Sequence, residues 1–278
     1  MVPQRFLVLL AVLVLAGCGA APPPASMAVG AGPGAESALL ANVYAAALRS
    51  YGSAAHVEQG PDPVAELDGG AVQVAPGFTG QLLMRFDPDA TARAGEQVYR
   101  SMISALPEGI AAGDYAQSAG DKPALAVTDA TAQKWGKRDV TALIQHCQGI
   151  RVGAVAGGHT PASVGTCRLS APVEFPNAAA LVGALRSGRI DAAWTSTALP
   201  ETPDGVVVLS DRTSAIRAEN VVPLYRRNVL GERQVLALNE IAGELDTGSL
   251  ADMLGKVAKG ADPGAVADEW LTAHPLGH

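Results

Sequence analysis

The chain has 278 residues, with 20 Lys and Arg against 27 Asp and Glu and a formal net charge of −7. No stretch clusters basic side chains, which argues against nucleic acid or an anionic membrane face as an electrostatic partner. The length exceeds a minimal domain and suits two medium lobes.

The first residues carry the strongest local signal. Arg5 supplies a positive start, Phe6 to Ala16 is an almost unbroken apolar run, and Leu15-Ala16-Gly17-Cys18 follows. A charged start, a short apolar run and small residues at a cut describe an export signal. The run is shorter than the roughly 20 residues that a permanent membrane helix needs. Cys18 at this place resembles a bacterial lipobox, in which the cysteine is acylated and becomes the new N-terminus; the alternative is an ordinary signal with an incidental cysteine. The expected boundaries are a signal peptide over 1–17 and a lipid-anchored tether over 18–26, where Gly19 gives way to Ala, Pro and Ser alone.

Beyond the tether the pattern alternates. Strands are expected over 26–29, 54–58 and 71–75, and helices over 35–51, 62–67 and 90–106, the last ended by Pro107. A strand over 124–127 precedes helices over 128–135 and 140–146. A buried strand over 150–156, a helix over 177–187 and strands over 190–194 and 206–209 follow. Residues 221–225 form the last strand, and from Gln234 the chain is expected to be helical. Alternation of this kind predicts an α/β protein with mostly parallel sheets.

Cys147 and Cys167 form an even pair outside the cytoplasm, where disulfides persist. They are expected to bond, with two buried free thiols as the alternative. His146 and His159 stand at offsets that do not suit a metal site. Two strings imitate enzyme motifs. Gly30-Ala31-Gly32-Pro33-Gly34-Ala35 fits a dinucleotide fingerprint, with Glu58 where a ribose-binding acid would stand. The strand before it is weak and Pro33 stiffens the turn, so a plain glycine-rich turn is the better reading. Asp246-Thr247-Gly248 copies an aspartic-protease triplet, but only once, and helix capping explains it. No nucleophile–base pair is visible. The chain is therefore read as a non-enzyme without cofactor or metal.

From Glu36 onward the chain resembles the substrate-binding proteins of osmoprotectant ABC importers, the glycine betaine, choline and carnitine group. The resemblance is carried in order by Glu36 to Tyr44, Val74-Ala75-Pro76-Gly77-Phe78-Thr79-Gly80, Ala124 to Val127 with Thr131 to Gly136, and Leu185 to Ala193. It continues through Ala237 to Asp246 and then Ala261-Asp262-Pro263 with Val266 to Leu271. It implies a two-lobed periplasmic-binding-protein-like α/β fold with two crossover strands, lobe one spanning 27–120 plus 214–278 and lobe two 124–210. It also implies a small solute in the interlobe cleft, and a permease and ATPase as partners at the extracytoplasmic face of the cell membrane, with Cys18 as the anchor. The alternative is a lipoprotein of the same fold that acts as a sensor or envelope interaction partner.

The family cages a quaternary ammonium with tyrosines through cation–π attraction. Here Phe78 stands in one ring's place, Pro123 replaces a second, Ser196 with Trp194 nearby a third, and the fourth falls near Ile216 or Arg217. The expected ligand contacts are Phe78, Thr79, Asp121, Trp194, Thr195 and Arg217. Lys122 and Arg168 are further charges suited to a betaine-like, zwitterionic or polar solute.

Overall fold

The computed structural model describes residues 26–158 and 160–277. The expected signal peptide, most of the tether, Cys18 and His159 lie outside the described residues. Strand β1 (Met27–Ala31) is buried along its whole length, as suits a central strand with helices on both faces. Helix α1 (Ala35–Ser50) buries Leu39, Leu40, Val43, Tyr44 and Leu48, and β2 (Ala55–Gln59) returns beside β1 in parallel. Helix α2 (Pro63–Gly69) starts where Asp62 accepts from the Ala65 amide and ends at Gly70, whose φ of 81° is left-handed. Strand β3 (Val74–Phe78) leads without a loop into α3 (Thr79–Phe86).

The expected helix over 90–106 begins late, as α4 (Gly95–Ala105). The preceding carbonyls of Ala90 and Ala92 instead accept from the Arg217 guanidinium, which holds that stretch out of a helix. Strand β4 (Ile110–Ala112) completes the first half.

The chain then crosses to a second sheet. Strand β5 (Pro123–Thr128) is followed by α5 (Asp129–Trp135) and α6 (Val140–Gln145), capped by Thr128 and Asp139. Strand β6 (Val152–Val155), the hairpin β7 (Ser163–Val164) and β8 (Cys167–Arg168), and β9 (Val173–Phe175) come next. Helix α7 (Ala178–Arg186), β10 (Ala192–Ser196) and β11 (Val206–Val208) end this half. After the return come β12 (Val221–Arg226), α8 (Glu232–Glu244), α9 (Thr247–Ala258) and α10 (Pro263–Ala273). The expected single helical tail is thus three helices, because Asp246 and Asp262 each cap a new start by accepting from Ser249 N and Ala265 N.

The two sheets run β2-β1-β3-β12-β4 and β11-β5-β10-β6-β9, an α/β architecture of two lobes. They are mixed rather than mostly parallel. β12 lies antiparallel to β3 and β4, and β5 antiparallel to β10 and β11. These are the first strands after each crossing, so each enters its sheet from the hinge side and runs against its neighbours. The two connections touch: Gly120 bridges Asn220, and Asp121 N donates to Glu219 O at 3.0 Å. A Cβ on Gly120 would lie 2.4 Å from that same carbonyl oxygen, so glycine is required there. Asn220 Nδ2 donates to the carbonyls of Ala116, Gln117 and Ala119 and locks the crossing.

Each lobe has its own cores. In lobe two, Leu125, Val152, Ala192 and Trp194 pack on one face of the sheet with residues of α5 and α6, while Ala126, Leu181, Leu185 and Ala193 pack on the α7 side. Cys147 and Cys167 are joined by a disulfide, with Cα atoms 5.6 Å apart. It ties the end of α6 to the β7–β8 hairpin.

Candidate functional site

Three adjoining hollows lie along the cleft. One, of about 430 Å³, has Glu36 and Gln81 from lobe one, Asp121 and Pro123 from the hinge, and the rest of its wall from lobe two. A second, of about 620 Å³, runs over the Gly32–Gly34 turn and Phe78, and shares Glu36 and Gln81 with the first. A third, of about 570 Å³, contains Arg93, Arg217 and Glu219, and shares Gln81 and Pro123 with the first. The shared residues make them sections of one cleft, the usual place for a small-molecule site between domains.

Charge gathers where the sections meet. Glu36 stands in the first turn of α1, and its carboxyl meets that of Asp121. Glu36 Oε1 is buried and finds no donor. Burial pushes the Glu36 carboxyl up to about 8, with the charge and hydrogen bond of Asp121 and the charge of Glu219 acting in the same direction. A helix N-terminus favours the anion, but desolvation beside two other carboxylates outweighs it. Asp121 is anchored by Ala198 N, which donates to Oδ1 at 3.1 Å.

Glu219 is 5 % exposed and accepts from Gln81 N at 2.9 Å, at the start of α3. Burial raises its carboxyl to about 7, while the Gly80 and Gln81 amides and Arg217 pull the other way. A Cβ on Gly80 would come within 2.6 Å of Glu219 Oε1, so this approach of carboxylate to helix needs glycine.

The residues expected at the site divide. Asp121, Trp194 and Thr195 border the 430 Å³ hollow. Phe78 borders the neighbouring section over the glycine turn, and Arg217 the section with Glu219. Thr79 is fully buried and borders none of the three; its Oγ1 accepts from Asn220 N. Trp194 and Phe78 are core residues as well, 6 % exposed each, in the separate cores of the two lobes. Lys122 pairs with Asp211 at 3.0 Å, and Arg168 is exposed on β8 outside the cleft sections. Among the described residues, the aromatic pairs are Tyr99–Tyr115, Trp135–His146 and Trp270–His274, none of them in the 430 Å³ hollow.

The imitation motifs resolve as structure. Gly32 N donates to Ser37 Oγ, and a Cβ on Gly30 would meet Pro63 at 2.9 Å, so the glycine turn packs against α2. Among the described residues no group of three or more His, Cys, Asp or Glu side chains has metal-holding geometry, and no helix is long and apolar enough to cross a membrane.

Residues 25–273 match the family described as the substrate-binding domain of the ABC-type glycine betaine transport system. The chain belongs to this family. Apo YehZ from Escherichia coli superposes with a TM-score of 0.69 at 19% identity, over 90% of this chain and 99% of that one. A glycine betaine/carnitine/choline ABC transporter protein gives a TM-score of 0.71 at 16% identity, over 90% and 98%. An ABC-transporter choline-binding protein in complex with choline gives 0.58 at 18%, over 90% and 89%. These likenesses establish the two-lobed fold. No curated protein matches by sequence.

Sequence reading missed Glu36, Gln81 and Glu219 as cleft residues. Glu36 stands in the first matching segment, and a carboxylate directly after a glycine turn at a helix start was the available signal. Glu219 had none, because its role depends on two crossings about a hundred residues apart.

Proposed function

We propose that this protein is the solute receptor of an ABC importer, anchored to the extracytoplasmic face of the cell membrane through acylated Cys18. It captures a betaine-like or other small polar solute between lobe one (27–120 plus 214–278) and lobe two (124–210) and presents it to a permease and its ATPase. The observation that supports this reading most is the 430 Å³ hollow walled by Glu36 and Gln81 from one lobe and by Asp121, Trp194 and Thr195 from the hinge and the other. A ligand touching both walls favours the closed arrangement, which is how such receptors signal occupancy. A tether raises the receptor's effective concentration at its permease.

The test is thermal unfolding of the purified protein with a panel of betaines, choline and other small zwitterions. A solute present at about 100 times its Kd stabilises by about 2.7 kcal/mol, several degrees in melting temperature. No shift across the panel sinks the transport reading, and capture of a non-transport envelope protein would then favour a sensor. For the anchor, Cys18→Ala is expected to move the protein from the membrane fraction to the soluble fraction of its host.

A further inference from the structure

The 430 Å³ hollow is uneven. Its lobe-one and hinge end holds Glu36 and Asp121, whereas its far end runs between α7 and the second sheet. There Ala126, Leu181, Leu185, Ala193 and Val206 serve both as core residues and as cavity wall. The central strands β5 and β10 offer only Ala126 and Ala193 beneath α7, so the packing leaves room that larger side chains would fill. Protein interiors seldom leave apolar volume empty, and a trimethylammonium group alone would occupy little of this one. Among the described residues no Lys or Arg lines this hollow to hold a ligand carboxylate; beyond its carboxylates and Gln81 its polar side chains are the neutral hydroxyls of Thr160, Thr195 and Ser196. The Glu36 oxygen without a donor faces the opposite demand.

From this juxtaposition we infer that the preferred solute is a monocation with an aliphatic or aromatic body, its charge held at Glu36 and Asp121 and its apolar part inserted beneath α7. The inference rests on the cleft being the solute site. A compact zwitterion leaves the apolar end empty and brings its own carboxylate beside Glu36 and Asp121. An amphiphilic cation matches both ends. This differs from a cage of rings: selectivity comes from carboxylates at one end and aliphatic depth at the other.

The test uses isothermal calorimetry on the purified protein with glycine betaine, choline and alkyltrimethylammonium ions of increasing chain length. Each methylene buried beneath α7 is expected to tighten binding about fourfold until the space is filled. Ala178→Leu and Val182→Phe, at positions of α7 that line the hollow, should abolish this dependence. Two variants guard against one that fails to fold. Glu36→Gln should weaken all the cations about tenfold or more. A flat chain-length series, or glycine betaine binding tightest, overturns the inference and leaves the receptor reading standing. Failure of every solute to bind removes both.

Discussion

The two lobes meet at the cleft with different materials. Lobe one and the hinge bring fixed charge: Glu36 at the start of α1, Glu219 on the amides of α3, and Asp121 on the Ala198 amide. Lobe two brings mainly volume, a wall of alanines, leucines and valines backed by a disulfide-tied layer on the other face of its sheet. A charged wall must be positioned by hydrogen bonds, which come from helix termini and the crossing segments. An apolar wall needs only packing, and its specificity is a matter of shape. The difference also separates residues that hold the ligand from residues that hold the walls.

The largest effects test that separation. Phe78 and Trp194 stand where a cage would use rings, yet each is built into its lobe's core. Phe78→Ala and Trp194→Ala are therefore each expected to cost about 3–5 kcal/mol of stability in the ligand-free protein, measured by urea unfolding. A loss below about 1 kcal/mol with binding abolished would return both rings to the ligand and break the division. Removing the disulfide with Cys147→Ser and Cys167→Ser should cost about 3 kcal/mol in the chain-entropy model. Hydrogen exchange should show that loss in lobe two and spare β1 and α1. Equal loosening of both halves would mean that the lobes unfold as one unit.

The charged wall predicts a pH dependence of defined sign. The carboxyls of Glu36 and Glu219 sit near 8 and 7 when folded, against an ordinary 4.5. They bind protons more tightly folded than unfolded, so their contribution to the stability of the ligand-free protein is fullest below pH 4.5 and is lost as the pH climbs through 7 to 8. Glu36→Gln removes part of the loss and should raise stability at pH 8.5 by on the order of 2 kcal/mol, discounted for its partial exposure. Thermal melts from pH 5 to 9 read this directly. A wild-type curve that is flat over this range would mean that water or an ion relieves the cluster. Cation binding to the same wall should strengthen over the same rise in pH, because the ligand competes with the protons.

Much of the frame was legible in the residues. The helical spacing of α1, the Asp62-Pro63 start of α2 and the cysteine pair each carry their physics locally. What stayed hidden was either short or distant. Helix α3 spans about two turns and follows β3 without a turn signal, and β4 and β9 have three residues each, too few for a period to show. The mixed sheets were concealed because strand direction after a crossing depends on the hinge, which leaves no local pattern. The carboxylate cluster is the clearest case: Glu36, Asp121 and Glu219 are ordinary surface-type residues in sequence, and only the pairing of Gly120 with Asn220 brings two of them beside the third.

The smallest effect concerns a motif that could be mistaken for chemistry. Asp246 Oδ1 accepts from Ser249 N at 2.7 Å, and Thr247 Oγ1 donates to Ser118 O. The triplet thus starts α9 and also braces the first crossing. Asp246→Ala should cost about 1 kcal/mol through the lost cap, and Asp246→Asn should restore most of it, because the amide oxygen can still accept. Solute affinity should be unchanged in both, since Asp246 lies outside the three cleft sections. If Asp246→Asn instead weakened binding while stability held, the carboxylate's charge rather than its capping oxygen would be what matters. The charged wall would then reach beyond the hinge into α9.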